Sequence, residues 1–407
     1  EDLGQVVRLL PQSRVDLRAA LDSQNLLTLV DEDVTPSLAV IGRIERRGMQ
    51  ISVPAQGWLR FRDTLTYQLI NIAARASEVL GSDATDISDA ELVRALRREG
   101  PMPLLPPKSS QKDLISRYRA AGSQLAADVA ILRSVKKTEK WLEHIEQAPG
   151  YLQGRMRFGT TGRLHYSKLA LHSLPKEGLL AGPIRSQLVA PAGWTLIAAD
   201  WNSFEPRILA SLLGPTSDIY HAAQHRDLYQ ALTTVAHMSR GEVKAALLAI
   251  LYGQSQRGFV AAQHQLDPNH ARFVFKSFNI GFPELKIFRT RQLDTFAHGK
   301  QIRTAGGWRR MPTEKQRTRV PHLPVQGLGA ELLRFAIREL DERLVPFGAF
   351  IVHQQHDEIV VLAPNSVVDQ VKDLLVEVME HEASVRLPNP VPLPVRIKTG
   401  QTWKDLL

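Results

Sequence analysis

The chain has 407 residues, 43% hydrophobic and 23% charged, and its 51 Lys and Arg outnumber its 42 Asp and Glu for a net charge of +9. That length exceeds one ordinary core and predicts a globular protein of two or more subdomains, while a pI near 9.7 suits a polyanionic partner. With no cysteine, disulfides, thiolate zinc sites and a cysteine nucleophile are excluded, and no apolar run approaches the ~20 residues of a membrane span.

In chain order, residues 1–35 are mixed and turn-rich. Pro36 to Arg47 reads as an amphipathic helix stopped by Gly48, and Gln50 to Val53 as a short strand. A polar stretch from Gly81 ends in the Pro-rich loop Pro101-Met102-Pro103-Leu104-Leu105-Pro106-Pro107, which marks a connector. Ser109-Ser110 then caps a helix from Gln111 to about Ala121, and a longer helix follows to about Ile145. Between Lys108 and Lys140 there are eight basic residues (Lys108, Lys112, Arg117, Arg119, Arg133, Lys136, Lys137, Lys140) against three acidic ones (Asp113, Asp128, Glu139). Such a stretch is expected to hold duplex phosphates without regard to base sequence and to weaken as salt rises.

Three later segments carry the chemistry. Trp194 to Ala199 is short and apolar, as a buried strand should be, and it delivers Asp200 at its end. Phe204 to Leu213 is expected to be helical, with Glu205 near its start. A hard divalent cation wants oxygen ligands, which makes Asp200 the first candidate. Arg240, Lys244, Leu248 and Tyr252 recur at every fourth position, and a drift of about 40° per step keeps them on one broad helix face. That face can grip a triphosphate at its basic end and stack on a base at its aromatic end, with Gly253 closing the helix. Phe350 to His353 and Ile359 to Leu362 read as a hairpin bent over Gln354 to Asp357, which puts Asp357 and Glu358 at an exposed tip. Asp357 is the second candidate ligand. It lies 157 positions from Asp200, so only a shared sheet brings the two together.

In order, spacing and chemistry, these segments resemble motifs A, B and C of the family A DNA polymerases, the bacterial polymerase I group. The resemblance spans nearly the whole chain. It implies an α+β right-hand fold with an antiparallel-sheet palm, helical fingers and a helical thumb. The implied divisions are an N-terminal segment joining the palm (1–43), thumb (44–145), palm (146–210), fingers (211–330) and palm again (331–407). The implied reaction is template-directed addition of dNTPs to a primer 3′-hydroxyl by two Mg²⁺ ions, for which Mn²⁺ can substitute. Asp200 and Asp357 match the metal ligands, and Glu358 a nearby acidic residue with a less direct role.

On the nucleotide side, Arg240, Lys244 and Tyr252 fall in register with the mobile fingers helix, and Glu205 matches the residue that crowds the sugar 2′ position. Leu248 stands where Phe or Tyr is usual, and Tyr229 where a His touches the triphosphate. On the DNA side the resemblance points to Arg163 of Thr161-Gly162-Arg163-Leu164, Gln326 of Pro324-Val325-Gln326-Gly327, His322 in place of an Asn, His356, and the thumb lysines Lys136 and Lys137. Trp201, Asn202, Phe204 and Pro206 depart from the motif A pattern, and Leu169 to Pro175 keeps only the Leu and Pro of Asn-Leu-Gln-Asn-Ile-Pro, so the chain reads as a divergent member. The expectation is a monomer working on primer–template DNA in the cytoplasm of a bacterial or phage-infected cell, close to the nucleoid. There is no room for a complete 3′–5′ exonuclease, and any nuclease domain would lie upstream of Glu1. Two alternatives are a single-subunit RNA polymerase, which lacks the counterpart of Glu205, and a silent DNA-binding module, against which the intact Asp200, Asp357, Arg240 and Lys244 speak.

Overall fold

The computed structural model describes residues 15–51, 56–100, 110–134, 150–169, 171, 174, 181–263 and 265–407. Ten strands are present among them: β1 Met49–Gln50, β2 Tyr151–Leu152, β3 Arg155–Phe158, β4 Leu164–Lys168, β5 Trp194–Trp201, β6 Ile302–Arg303, β7 Arg309–Arg310, β8 Phe350–Gln355, β9 Glu358–Pro364 and β10 Val395–Gly400. Six form the two-stranded pairs β1–β2, β3–β4 and β6–β7, and four form a sheet of order β10-β5-β9-β8 whose neighbours are all antiparallel. Helices make up most of the remainder, and the α+β expectation holds.

The four-stranded sheet is buried on both faces, which explains why β5 and β9 read as unbroken apolar runs. Ile197, Ala199 and Trp201 of β5, with Ile359, Val361 and Ala363 of β9, pack into the main core beneath the helices Phe204–Leu213, Arg240–Leu251 and Leu323–Arg343. Leu196 and Ala198, with Val360 and Leu362, pack on the opposite face against Met49, Leu152, Leu188 and Trp403. Alternation along a strand then fixes where the polar residues go: Asp200 follows Leu196 and Ala198 onto the second face, and Glu358 precedes Val360 and Leu362 on the same one. A third, smaller cluster holds the helices Asp89–Glu99, Gln111–Ala120 and 124–134 around Leu92, Leu96, Leu114 and Val129.

Two sequence expectations change. Residues 15–35 are helical over most of their length rather than turn-rich, running through a π-helical turn at Val30–Val34 into Thr35–Arg47. The order is imposed from a distance: Asp33 pairs with Arg334, which is fully buried, at 2.6 Å, and also with Arg338. The basic stretch also divides. Arg117 is buried, donating to the carbonyls of Val260, Gln263 and Leu266 at 3.0–3.2 Å, and Arg133 is taken up by Asp89 and the Ile87 carbonyl. Neither is available to phosphates. Lys112 and Arg119 are exposed; Lys108, Lys136, Lys137 and Lys140 lie outside the described residues, as do the Pro-rich loop and the end of the helix expected to reach Ile145. Ser110 caps the Gln111–Ala120 helix through a reciprocal pair with Asp113, as its position predicts.

One buried side chain ties the polar end of β5 to the rest. Arg207, with no exposed surface, donates to five carbonyls: Asn202 at 3.2 Å, Ala223 at 2.6 Å, Pro392 at 3.0 Å, His225 at 2.9 Å and Arg226 at 2.8 Å. Burial lowers its pKa to about 10, still far above neutrality, so it stays charged. Replacing Arg207 by Met is expected to cost about 3 kcal/mol or more, because several buried carbonyls lose their donor. Denaturant unfolding followed by tryptophan fluorescence measures it; a loss under 1 kcal/mol would show that water replaces the guanidinium.

Candidate active site

Asp200 is the penultimate residue of β5 and lies directly across from Glu358, the first residue of β9. The β8–β9 connection is a two-residue turn, His356-Asp357, with Gln355 and Glu358 paired beneath it. Trp201 donates its backbone N–H to the Asp357 carbonyl at 3.3 Å, so the turn is stitched to the end of β5 and the two carboxylates share one rim. Two left-handed backbones flank them, Ser203 and His356, both at φ 55°. Non-glycine residues take this conformation at a cost, and it aims the chain sharply at such sites. Under the turn, His353 is fully buried, 2.8 Å from the Tyr166 hydroxyl and edge-on to Trp403.

A cleft of about 340 Å³ opens beside this rim, lined by Arg163, Ser203, Phe204, Glu205, Pro206, Tyr229, Leu248, Tyr252, His356 and Asp357. Its far wall is the Arg240–Leu251 helix, started by a Ser239–Glu242 capping box and ended at Tyr252. Gly253 has φ 74°, and a Cβ there would sit 2.2 Å from the Thr318 carbonyl, so only glycine fits that exit. Val243, Ala246, Leu247 and Ile250 are buried, leaving Arg240, Lys244, Leu248 and Tyr252 toward the open side. The shared face read from the fourfold spacing is present. Arg240 is paired with Asp227 at 2.7 Å, and the Arg240 and Lys244 cations lie 5.6 and 5.9 Å from the Tyr229 ring centre.

Glu205 is the hub of the cleft. It forms an ion pair with Arg163, accepts from the Tyr252 hydroxyl at 2.5 Å, and lies 3.7 Å from His322 Nε2. Arg163 is offered up by Gly162, whose carbonyl accepts from the buried Arg334. His322 is buried behind Tyr252, ring centres 4.3 Å apart, and its burial pushes its pKa down to about 4; contact with any polymer in the cleft requires the Tyr252 ring to move. Gln326 is half-buried in the first turn of Leu323–Arg343 and does not line the cleft.

The model of the family described as DNA polymerase family A matches residues 64–405. The chain belongs to DNA polymerase family A. It is 27% identical to the thermostable DNA polymerase I of Thermus filiformis over 94% of this chain and 49% of that one, and 25% identical to its Thermus aquaticus counterpart over 99% and 51%. Against the DNA polymerase I of Deinococcus radiodurans it is 26% identical, covering 99% of this chain and 44% of that one. The chain thus spans about half the length of these relatives. Among solved structures, the POL domain of Pol1 from M. smegmatis, in complex with DNA primer-template and dNTP, superimposes with a TM-score of 0.78 at 20% identity, covering 95% of this chain and 72% of that one. The right-hand fold is therefore shared.

Within this family A site the carboxylates are not electrostatically equivalent. Asp200 faces Arg396 of β10 at 2.9 Å, Glu205 has Arg163, and Glu358 acts on the buried Arg185. Asp357 is pushed up from 3.8 to about 7, first by burial and then by repulsion from Asp200, against weaker opposition from a backbone hydrogen bond and, least of all, from Arg163. Sequence reading placed it on an exposed tip; the structure sets it half-buried in the cleft wall, because the turn folds against β5. Among the described residues no three His, Cys, Asp or Glu side chains form a ready-made metal cage. Two carboxylates on one rim fit a small hard cation that keeps waters and completes its shell with substrate oxygens. The arginines Arg185 and Arg396 escaped the sequence reading, and Arg207, within the helix after Asp200, was given no role by it.

The raised Asp357 makes a pH prediction. The folded protein binds more protons than the unfolded chain between about pH 4 and 7, so this group removes stability as pH rises through that window. In metal-free buffer Asp357→Asn is expected to melt a few degrees above the parent at pH 8, with the gain shrinking toward pH 5. Equal melting temperatures at pH 8 would contradict the repulsion between the two carboxylates.

Proposed function

We propose that this chain is a template-directed DNA polymerase that extends a primer 3′-hydroxyl with dNTPs, its helical parts acting as thumb and fingers around a palm formed by the four-stranded sheet. The observation that carries the reading is the convergence of Asp200 and Asp357, 157 positions apart in sequence, on one rim facing the Arg240–Tyr252 helix face. No helix among the described residues is long and apolar enough to cross a membrane, and primer–template DNA in a bacterial cell is the partner that fits the basic chain and its relatives.

Two Mg²⁺ ions, or Mn²⁺ in their place, would lower the pKa of the attacking hydroxyl and neutralise the departing pyrophosphate when bound. Asp200 and Asp357 would hold that positive charge, which would relieve their mutual repulsion. Lys244, with no carboxylate partner among the ion pairs of the described residues, supplies the mobile cation for the triphosphate, and Arg240 joins it by leaving Asp227. The Tyr229 ring lies under both cations, and its hydroxyl would serve there as a neutral donor. Tyr252 must release Glu205 for a base to stack in the cleft, so nucleotide entry and movement of the Arg240–Leu251 helix are one event. Glu205, held by Arg163, then stands at the floor of the sugar site, where a 2′-hydroxyl would have to displace it.

Primer extension on a primed template tests this directly. Asp357→Ala is expected to lower the rate by a factor of ~10³ or more with duplex affinity nearly unchanged; retained extension sinks the proposal. Lys244→Ala should raise the KM for dNTP by about tenfold without altering the Kd for the duplex, and equal losses in both would remove its triphosphate role. Comparing dNTP with rNTP incorporation in Glu205→Ala tests the sugar assignment: the ratio favouring dNTP is expected to fall, and an unchanged ratio rejects it.

A further inference from the structure

A row of four side chains crosses the sheet at its polar end: Arg396 on β10 opposite Asp200 on β5, Asp200 opposite Glu358 on β9, Glu358 opposite Gln355 on β8. Directly opposed residues in antiparallel strands share a face and interact. Arg396 Nη2 lies 2.9 Å from Asp200 Oδ2, with the Arg396 side chain 66% exposed and Asp200 only 26%. The guanidinium comes from solvent to cap a carboxylate on the cleft rim. Its neighbours do not explain it as structural glue: the side chains around it on β10, Val395 and Ile397, pack on the other face of the sheet against the main core, and among the described residues Asp200 is its one ion-pair partner. Arg207 and Arg185 are bound by carbonyls or stacked under Trp403; Arg396 alone of the three is free to swing.

We propose that Arg396 is a built-in rival for the divalent cation at Asp200, setting how much metal the site needs before it fills. This rests on Asp200 being a metal ligand. A cation approaching Oδ2 must displace the guanidinium or share the carboxylate with it, and either lowers the net attraction. The rival is a weak one, because a mostly exposed pair is screened by water. Pairs of this kind alter a binding equilibrium by about two- to fivefold. In exchange, the cluster of Asp200, Glu205, Asp357 and Glu358 does not confront incoming nucleic acid with its full negative charge when metal is scarce.

The test uses the full chain without DNA or nucleotide and reads Mn²⁺ binding by electron paramagnetic resonance. Arg396→Met keeps the stem and removes the charge, and its Mn²⁺ Kd is expected to fall about two- to fivefold; Arg396→Gln, which can still hydrogen-bond, should show the same direction if Met perturbs folding. Lys398→Met, two residues along on the same face, controls for general loss of positive charge. An Arg396→Met affinity that is unchanged or weaker overturns the inference, and so does an equal gain in Lys398→Met. Asp200→Asn separates this failure from that of the polymerase reading. If it binds Mn²⁺ as tightly as the parent, Asp200 is no ligand and both fall; if it loses Mn²⁺ while Arg396→Met is unchanged, only the rivalry falls.

Discussion

The antiparallel register of β5 against β9 is the constraint on which the site depends. Ala198 opposite Val360 and Asp200 opposite Glu358 belong to one face, and a slip of one residue would send Asp200 into the main core and Ile197 out of it. Both faces of the sheet are buried, so such a slip would exchange the packing of the two cores and drive the charges of the polar end into the main one. Packing far from the cleft therefore holds the rim to its geometry. The pairing of Gln355 with Glu358 fixes the length of the β8–β9 turn, and the turn carries Asp357 to the end of β5. Arg207 completes the arrangement by pinning the chain that leaves β5 to the segments at 223–226 and Pro392.

Charge within the rim is shared out unevenly, and the unevenness is useful. Arg163, Arg185 and Arg396 each act chiefly on one carboxylate, while Asp357, reached only weakly by Arg163, is governed mainly by burial and by Asp200. A fully neutralised rim would have little affinity for a divalent cation; a rim with no arginines would destabilise the sheet end and repel polyanions. Leaving one carboxylate strained costs the folded state some stability, as active sites commonly do. Glu205 illustrates the opposite choice. It is held from two sides, so it behaves as a fixed wall, and Tyr252 is the contact that must give way.

The sequence made the regular parts legible. Apolar runs announced β5 and the hairpin, the fourfold spacing announced the open face of the Arg240–Leu251 helix, and Ser110 and Gly253 marked the ends they cap. What stayed hidden were contacts between residues distant in sequence. Counting charges from Lys108 to Lys140 could not reveal that Arg117 is spent on carbonyls 143 to 149 positions away, since a buried and a solvated arginine look alike in a string. Arg396 was invisible for the same reason: its importance is a property of β10 lying beside β5. The helical order of 15–35 comes from Asp33 reaching Arg334 and Arg338, and local propensity gives no notice of it. Ser203 and His356 take positive φ without being glycine, a strain that the surrounding fold imposes.

His322 shows how burial can make a substitution compatible with the site. A charged imidazolium 3.7 Å from Glu205 would compete with Arg163 for the same carboxylate and draw it away from the Tyr252 hydroxyl. Enclosed behind the tyrosine ring, with its pKa pushed down to about 4, the ring stays neutral throughout the physiological range, offering one donor and one acceptor. Among the described residues neither ring nitrogen has a hydrogen-bond partner, so its polar capacity is held in reserve behind Tyr252. When that ring leaves Glu205, the shielding that keeps His322 neutral weakens as well. Tyr252 and His322, 70 positions apart in sequence, thus share one contact, and displacement of the tyrosine ring exposes the imidazole beside it.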